Sequence, residues 1–389
     1  MFRRLSIVVA ATSLMAAPAA AQQTVKIGYV TTLSGPISAI GNDMRDAFEL
    51  ALDHKGRKLG GLNVEMVYAD DQMKPDIGKQ ATDKLIESDK VHFLSGYPFS
   101  NVLLASLKSA ADSRTFLISN NAGASQLAGE QCSPWFFSTS WENYQRPMAM
   151  GDLLNKKGVK KLYILSPNYA AGKDMAAGVK RTFKGEVVGE EYTRWPGQLD
   201  FSSELTKIRA ANPDAVWVFY AGAYGVQFFS QYAQAGLLGK IPLYSTFTVD
   251  ALNLPQIGAA ALGSVSTNTW VQDLDNPTNR KFVADFRKKH GRTPSFYAAQ
   301  AYDGALLIDA ALTAVKGDLT NKEAIAKALR TADFDSTRGK FRLGNNHFPI
   351  QSIYVEQVVK MADDSLGFRT VENIAPNNQD IFHDKCPMK

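Results

Sequence analysis

The sequence lacks most of the patterns by which nucleotide-binding proteins and hydrolases are recognised. The P-loop pattern G-x-x-x-x-G-K-[ST] and the nucleophile elbow G-x-S-x-G do not occur, and no G-x-G-x-x-G follows the first predicted strand. The five histidines are dispersed, and no two of them stand three or four residues apart. We therefore expect no catalytic residues, no cofactor and no metal site.

Charge of one sign and long apolar runs are also scarce. The 43 Lys and Arg are scattered among 38 Asp and Glu, so no basic stripe indicates a nucleic-acid partner. The one early apolar run, Leu5 to Ala17, is too short to span a bilayer. It follows Arg3-Arg4 and precedes Ala19-Ala20-Ala21, which is typical of a secretory signal peptide over residues 1–21. The sequence therefore predicts a periplasmic protein.

Cysteine is limited to Cys132 and Cys386. An even count in an exported chain favours one disulfide, which would tie the C-terminal tail to the middle of the chain, and two unpaired buried thiols are the alternative.

The rest of the chain alternates between short β-branched runs and amphipathic helices. Predicted strands are 25–31, 62–69, 91–94, 115–119, 161–165, 187–192, 215–220, 242–246 and 353–361. Predicted helices contain Met44 to Ala51, begin near Pro75 and near Ser100, and cover 174–183, 202–210 and 226–235, with a helix-rich stretch over 276–332. This order predicts parallel sheets covered by helices on both faces.

The pattern occurs twice, so we predict an α/β fold with two doubly wound lobes joined by a hinge and a ligand cleft between them. The expected first lobe comprises residues 22–141 and 269–343. The expected second lobe and tail comprise residues 142–268 and 344–389.

Two loops that follow predicted strands are candidates for ligand binding. Ser100 stands where a helix begins, and its hydroxyl with the free amides of the first turn suits an anion, although Ser is also common there as an N-cap. The loop Asn121-Ala122-Gly123 contains small residues, which let a ligand approach the backbone.

The order of several weak motifs resembles one known family. Leu33-Ser34-Gly35-Pro36, Gly96 to Ser100, Leu117-Ile118-Ser119, Tyr169-Ala170-Ala171-Gly172 and Ala298 to Gly304 together look like the periplasmic solute-binding proteins of branched-chain amino acid ABC transporters. The resemblance covers essentially the whole mature chain. It implies delivery of a ligand to a membrane permease, three hinge segments, a monomer, and a bond between cysteines placed like these two.

Carried over by position, the resemblance implies that Ser100 and the loop 121–123 hold a ligand carboxylate, while Tyr169 approaches from the second lobe. The chain departs from the amino-acid binders at two positions: Phe247 stands where they place an acidic residue for the ligand ammonium, and Gly123 where they offer a threonine. A buried ammonium without a counter-charge is costly. Asp250, three residues further on, is the alternative partner for an ammonium.

The second lobe is rich in aromatic residues near the predicted strand ends: Trp141, Tyr144, Tyr169, Tyr220, Tyr224 and Phe247. Such rings suit a flat apolar acid, as in the branches of this family that bind benzoate-type and phenylpropenoid acids, although some of them can be ordinary core residues. The candidate ligand-binding residues are Tyr97, Phe99, Ser100, Asn121, Ala122, Gly123, Trp141, Tyr144, Tyr169, Tyr224 and Phe247.

The predicted function is that of a non-catalytic solute-binding protein for a small aromatic carboxylate. Branched-chain or other aliphatic amino acids are the main alternative ligands. An exported hydrolase or isomerase of the same acids lacks support from a Ser-His-Asp order or paired carboxylates. A sensor that docks on a membrane receptor would look the same in sequence.

Overall fold

A computed structural model describes residues 23–388, so the predicted signal peptide lies outside the described residues. The strands are β1 (Thr24–Thr31), β2 (Lys58–Leu59), β3 (Leu62–Asp70), β4 (Phe93–Gly96), β5 (Phe116–Ser119), β6 (Phe136–Ser138), β7 (Lys161–Pro167), β8 (Glu186–Thr193), β9 (Ala215–Phe219), β10 (Leu243–Thr246), β11 (Val265–Asn268), β12 (Asp335–Ser336), β13 (Gly339–Lys340), β14 (Gln351–Lys360) and β15 (Leu366–Asn378). The helices are α1 (Ser38–His54), α2 (Pro75–Glu87), α3 (Ser100–Asp112), α4 (Ser125–Ala128), α5 (Gln145–Lys156), α6 (Ala170–Thr182), α7 (Ser202–Ala211), α8 (Ala223–Gln234), α9 (Leu254–Ile257), α10 (Pro277–His290), α11 (Phe296–Ala314) and α12 (Lys322–Arg330).

The first sheet has the strand order β2-β3-β1-β4-β5-β6. All its neighbours are parallel except the short β2, which pairs antiparallel with β3. The central strands β4 and β5 are buried along their whole length, as expected for a parallel sheet covered on both faces. The predicted first α/β unit is therefore confirmed.

The second sheet has the order β15-β14-β11-β10-β9-β7-β8, and its last two antiparallel strands, β14 and β15, extend a parallel core. The predicted return of the strand near residue 353 to this sheet is confirmed. Sequence analysis missed β11 and β15. The strand β15 contains three Asn with one Glu and one Arg and is half exposed at the sheet edge, so it carries little hydrophobic pattern.

The late helices pack on the first lobe, as predicted, because α11 lies against α1 and carries α12 with it. α11 is buried on nearly all sides, which explains its almost uniformly apolar sequence. The residue limits of the two lobes remain a prediction. Close to the predicted limits after residues 141 and 343, the His347 carbonyl accepts a hydrogen bond of 3.0 Å from the Ser138 amide at the end of β6.

Two second-lobe helices begin earlier than predicted. α6 begins at Ala170 instead of Asp174, and α8 begins at Ala223 instead of Val226. Both first turns contain small residues, which are also typical of loops. The Gly172 backbone instead packs so closely on β7 that a Cβ atom would stand 1.8 Å from the Pro167 carbonyl oxygen. Close packing of a helix on a strand requires glycine there.

The predicted disulfide is present between Cys132 and Cys386, whose Cα atoms are 5.7 Å apart. The bond closes a loop across 254 residues and fixes the tail that follows β15 against the segment after α4. Within residues 23–388, no helix combines the length and the apolar character that crossing a bilayer requires.

Candidate functional site

A narrow pocket with about 320 Å³ of empty space, part of it open to solvent, lies between the two sheets at the carboxyl ends of their strands. Fifteen residues line it: Ile40, Pro98, Phe99, Ser100, Asn121, Ala122, Trp141, Asn143, Tyr169, Ala171, Met175, Phe219, Ala221, Phe247 and Tyr297. The set joins loops of both lobes with the first turn of α11. Seven of the eleven predicted ligand-binding residues belong to it, namely Phe99, Ser100, Asn121, Ala122, Trp141, Tyr169 and Phe247.

The strand orders explain why these loops meet. In the first sheet the chain adds β3 on one side of β1 and then adds β4 on the other side. In the second sheet it adds β8 on one side of β7 and then adds β9 on the other. Loops diverge at such a switch point and leave a crevice. Phe99 and Ser100 follow β4, Tyr169 follows β7, and Phe219 ends β9, so the cavity lies across both crevices.

One end of the cavity is the start of α3. The first amide that donates within this turn is that of Leu103, to the Phe99 carbonyl at 3.0 Å, so the amides of residues 100–102 precede the helical hydrogen-bond pattern. The Ser100 hydroxyl accepts a hydrogen bond from Asn143 Nδ2 at 3.3 Å. Free amides at a helix start carry partial positive charge, so this end suits a carboxylate.

Gly123 allows a second chain segment to reach the cavity. A Cβ atom at this position would lie 2.0 Å from the Trp141 carbonyl oxygen, and the Gly123 carbonyl accepts a hydrogen bond from the Asn143 amide at 2.8 Å. The absence of a side chain therefore lets residues 141–143 pass against the loop and brings Trp141 and Asn143 into the lining. A threonine could not occupy this position without moving that segment.

The opposite wall is aromatic and centres on Phe247, the residue directly after β10. Its ring lies 4.7 Å from Trp141, 5.3 Å from Phe219 and 5.3 Å from Phe296, measured between ring centroids. Phe247 has φ +68°, a left-handed conformation that is unfavourable for a residue other than glycine. The surrounding packing holds it there, as is common in ligand-binding loops.

Arg146 supports this wall from the side away from the cavity. Its guanidinium carbon lies 3.8 Å from the centroid of the Phe247 ring and 4.5 Å from that of Phe296, and Nε donates to the Thr267 carbonyl at 2.8 Å. Complete burial lowers the pKa of Arg146 to about 9, against the favourable charge of Glu356 and other anionic groups. The guanidinium is therefore charged at neutral pH and contributes a cation–π contact.

Asp250 does not line this cavity. It lines a second, smaller space with Glu356, and its Oδ1 accepts hydrogen bonds from the amides of Leu252 and Asn253 at 2.8 and 2.9 Å. Burial raises the pKa of Asp250 to about 7 and that of Glu356 to about 7. The alternative ammonium partner therefore stands beside a different cavity.

Charge is the decisive property of the main cavity. Among the described residues, no Asp, Glu, Lys, Arg or His belongs to its lining. An α-ammonium group enclosed here would have no carboxylate against it, which costs several kcal/mol. A ligand carboxylate, by contrast, can be met by the amides at the start of α3.

The two lobes already meet above the cavity. Tyr169 stacks on Trp195 with centroids 4.6 Å apart and an interplanar angle of 13°, and Trp195 lies 5.8 Å from Phe99 of the first lobe. Burial raises the pKa of Tyr169 well above its usual range, with the Asp174 charge adding to the effect. Its hydroxyl is therefore a neutral group at any physiological pH.

Four predicted residues lie outside the lining. The Tyr97 hydroxyl forms a hydrogen bond of 2.9 Å with the Thr82 hydroxyl inside the first lobe, and the residue has φ +58°. The Gly123 carbonyl accepts a hydrogen bond from the Asn143 amide, and the residue does not line the cavity. Tyr144 packs edge-on against Phe382 of the tail at 4.9 Å, and Tyr224 packs against Trp195 at 5.3 Å. Tyr220 is also core, with its hydroxyl 3.0 Å from Thr193 Oγ1.

Sequence analysis missed several lining residues: Ile40, Pro98, Asn143, Ala171, Met175, Phe219, Ala221 and Tyr297. Phe219 and Ala221 lie on either side of the end of the predicted strand 215–220, so the strand-end rule could have found them, whereas Met175 lies one helical turn beyond Ala171. Tyr297 directly precedes the Ala298–Gly304 motif, but nothing in the sequence indicates that α11 begins beside the opposite loops.

The described residues contain no group of three or more His, Cys, Asp or Glu that could hold a metal ion. The model of the periplasmic binding protein family matches residues 24–364. The chain belongs to this family. The family is extracytoplasmic, which agrees with the export that the first residues predict.

Among curated relatives, the chain is similar to "Leu/Ile/Val-binding protein homolog 6" of Brucella melitensis, with 29% identity over 90% of this chain and 91% of the relative. Among solved structures, it is similar to a solute-binding protein of an ABC transporter from R. palustris in complex with benzoate. The identity is 32%, the TM-score 0.88, and the coverage 94% of this chain and 100% of the other.

A second R. palustris solute-binding protein, in complex with 4-hydroxybenzoate, shares 26% identity with a TM-score of 0.86, over 92% of this chain and 98% of the other. The predicted resemblance and the two-lobe fold are thus confirmed, and the chain is a periplasmic binding protein of the ABC transporter family. The fold and family are those of solute-binding proteins and not of enzymes.

Proposed function

We propose that this periplasmic binding protein is the solute-binding component of an ABC importer for a small aromatic carboxylate of the benzoate, hydroxybenzoate or phenylpropenoid type. The observation that carries the proposal is a cavity lined by aromatic rings and by the start of α3, with no charged side chain in the described lining. Such a cavity suits an apolar ring with one anionic end.

Binding proceeds in two stages in this proposal. The first lobe receives the carboxylate at Ser100 and the amides of the first turn of α3, where partial positive charge replaces a basic side chain. Closure then brings Tyr169 and Phe247 of the second lobe over the ring and excludes water. The ligand stabilises the closed form by its greater affinity for that form, and a membrane permease recognises it.

Similarity to the benzoate-bound and 4-hydroxybenzoate-bound proteins supports this ligand class. The alternative class, branched-chain amino acids, is favoured by the similarity to the Brucella Leu/Ile/Val-binding protein homologue. The placement of Asp250 beside a separate cavity argues against that alternative, because an ammonium in the main cavity would stay unpaired.

The test is a binding screen on the monomeric, ligand-free mature protein, residues 22–389, by thermal shift and then by calorimetry. Benzoate, 4-hydroxybenzoate and cinnamate are compared with leucine, isoleucine and valine. A ligand at 100 times its Kd stabilises the folded protein by about 2.7 kcal/mol. We expect the aromatic acids to raise the melting temperature and the amino acids to leave it unchanged. Binding of the amino acids alone would refute the proposal.

Ser100→Ala is the matching variant. Loss of the hydroxyl at the carboxylate end should weaken every aromatic acid about tenfold to hundredfold, since a hydrogen bond to a charged group is worth about 1.5–3 kcal/mol. Ser113→Ala, at the other end of α3, is the control and should leave affinity unchanged, because the Ser113 hydroxyl donates to the Ser109 carbonyl at 2.8 Å. Loss of uptake of the labelled acid in a permease deletion would separate transport from sensing.

A further inference from the structure

Two polar groups of the aromatic wall have no internal partner. The Tyr297 hydroxyl and the Trp141 indole Nε1 are both buried, and neither finds a hydrogen-bond partner within residues 23–388. Both side chains line the main cavity. A buried donor without an acceptor is destabilising, so such groups in a native structure indicate a missing partner.

The two groups flank the same ring. Trp141 packs on Phe247 with centroids 4.7 Å apart, and Tyr297 stacks on it at 6.2 Å with an interplanar angle of 30°. The end of the cavity beside Phe247 therefore offers a phenol and an indole N–H, both without an internal partner.

Tyr297 is held firmly in place. Its amide donates to the Ser295 hydroxyl at 3.1 Å, which caps the start of α11, and the Ser295 amide donates to Asp43 at 3.2 Å. The Asp43 carboxylate is in turn paired with Arg292. The side chain itself is only 1% exposed, and its ring packs on Phe296 with centroids 4.1 Å apart, so a partner for the hydroxyl has to come from the cavity that it lines.

The partner must offer an oxygen that accepts a hydrogen bond. Burial, with the charge of Asp250 and the nearby Asp43, raises the pKa of Tyr297 well above its usual range, while Arg146 acts in the opposite direction. The hydroxyl therefore stays protonated and can donate, and because the start of α3 already suits the ligand carboxylate, the oxygen at this end is a substituent of the ring. A ring hydroxyl can accept a hydrogen bond from the indole N–H and form a second hydrogen bond with the phenol hydroxyl.

We propose that Tyr297 and Trp141 form a subsite for a ring hydroxyl, so that the protein selects hydroxylated aromatic acids over unsubstituted ones. The inference rests on the proposed function and narrows its ligand class. In the open form water satisfies both groups, whereas closure on benzoate leaves them unpaired. Closure on a hydroxybenzoate of matching geometry satisfies them, which favours the closed form with that ligand.

The test measures Kd by calorimetry for benzoate and for 2-, 3- and 4-hydroxybenzoate with three proteins: wild type, Tyr297→Phe and Tyr232→Phe. We expect at least one hydroxylated isomer to bind wild type about tenfold or more tightly than benzoate. Tyr297→Phe should reduce this preference to within about threefold, because it weakens the hydroxylated isomer and removes the hydroxyl that benzoate leaves unpaired. Tyr232→Phe removes a hydroxyl that donates to the Ile241 carbonyl at 3.0 Å and should keep the wild-type preference.

Equal affinity of wild type for benzoate and all three isomers would overturn the inference while leaving the proposed function intact. Equal weakening of every acid by Tyr297→Phe would also overturn it, because the hydroxyl would then hold the common carboxylate. Failure of all four acids to bind would refute the inference, and failure of cinnamate as well would refute the proposed function. Tyr297→Phe removes one unpaired atom and should fold; if it does not, the wild-type comparison decides alone.

Discussion

The Asp174 carboxylate in α6 of the second lobe accepts two hydrogen bonds from Ser125 of the first lobe, one from its amide at 3.1 Å and one from its hydroxyl at 2.8 Å. Asn143 Nδ2 donates to the same carboxylate at 3.0 Å and to the Ser100 hydroxyl at 3.3 Å. One carboxylate thus joins the lobes and connects, through Asn143, to the carboxylate end of the cavity.

Asp174→Ala should weaken the binding of every ligand by a similar factor, about fivefold to thirtyfold. The change removes the acceptor for both Ser125 donors, at about 1–2 kcal/mol of closed-form stability, and Asp174 does not line the cavity. A change in the closing equilibrium acts on all ligands alike. Calorimetry with three aromatic acids provides the measurement.

The control for this prediction is Asp152→Ala, because Asp152 is an exposed carboxylate on α5 of the same lobe. It should leave all affinities at the wild-type value. Weakening of one ligand only by Asp174→Ala would instead show that the carboxylate contacts that ligand.

Phe247→Leu should lower aromatic-acid affinity about tenfold and the free energy of unfolding by about 1–2 kcal/mol. The leucine fills similar volume but gives up ring contacts with Trp141 and the guanidinium of Arg146, 3.8 Å away. Leucine has the same difficulty as phenylalanine at φ +68°, so the backbone strain is unchanged. Calorimetry and chemical denaturation measure the two effects.

Phe228→Leu is the matched control. Phe228 packs with Phe201 and Tyr220 at 5.2 and 5.3 Å in the same lobe but does not line the cavity. It should lose comparable stability without loss of affinity. If both variants lost affinity equally, the Phe247 effect would reflect general loosening of the lobe.

Asp250→Asn should stabilise the protein at pH 8 and have a smaller effect at pH 5. Burial raises the pKa of Asp250 from 3.8 to about 7, so the folded wild type binds a proton that the unfolded chain releases. Its stability is therefore undiminished below pH 3.8 and decreases as pH rises through about 7, by up to about 1.4 kcal/mol per pH unit. Asparagine does not titrate and can still accept from the amides of Leu252 and Asn253.

Denaturation midpoints of both proteins between pH 5 and pH 8 test this prediction. Asp318→Asn is the control, because hydrogen bonds from Thr320 lower the pKa of this exposed carboxyl, and its removal should give no gain that increases with pH. Destabilisation by Asp250→Asn at pH 8 would mean that the ionised carboxylate is needed as a partner for Arg146.

Much of the fold follows from local sequence. The buried strands β4, β5, β7 and β9 are short β-branched or apolar runs, and their order with amphipathic helices predicts parallel sheets. The half-exposed edge strand β15 was missed, because a strand that faces water on one side and carries many polar residues has a weak pattern. Its place depends on pairing with β14, a long-range contact.

The residues of the site also fall into those that local sequence predicts and those that only long-range packing places. Ser100, Asn121 and Tyr169 follow strands and could be found by rule, since strand ends meet at the crevice. Tyr144 and Tyr224 were predicted by the same rule, yet their side chains pack against neighbouring aromatic residues and do not line the cavity. Tyr297 is the opposite case: it lies at the start of a helix far along the chain, and only the packing of α11 against α1 brings it to the cavity.

The sequence by itself determined the two α/β lobes and the one possible cysteine pair, because these depend on periodicity and composition, and the order of its weak motifs was enough to show the resemblance to the family. Only the tertiary structure decided which aromatic side chains face the ligand and which are core. It also placed Asp250 in a separate cavity and Arg146 behind Phe247. Those outcomes depend on the directions of side chains at loops, where backbone conformation and long-range packing act together and leave no local pattern.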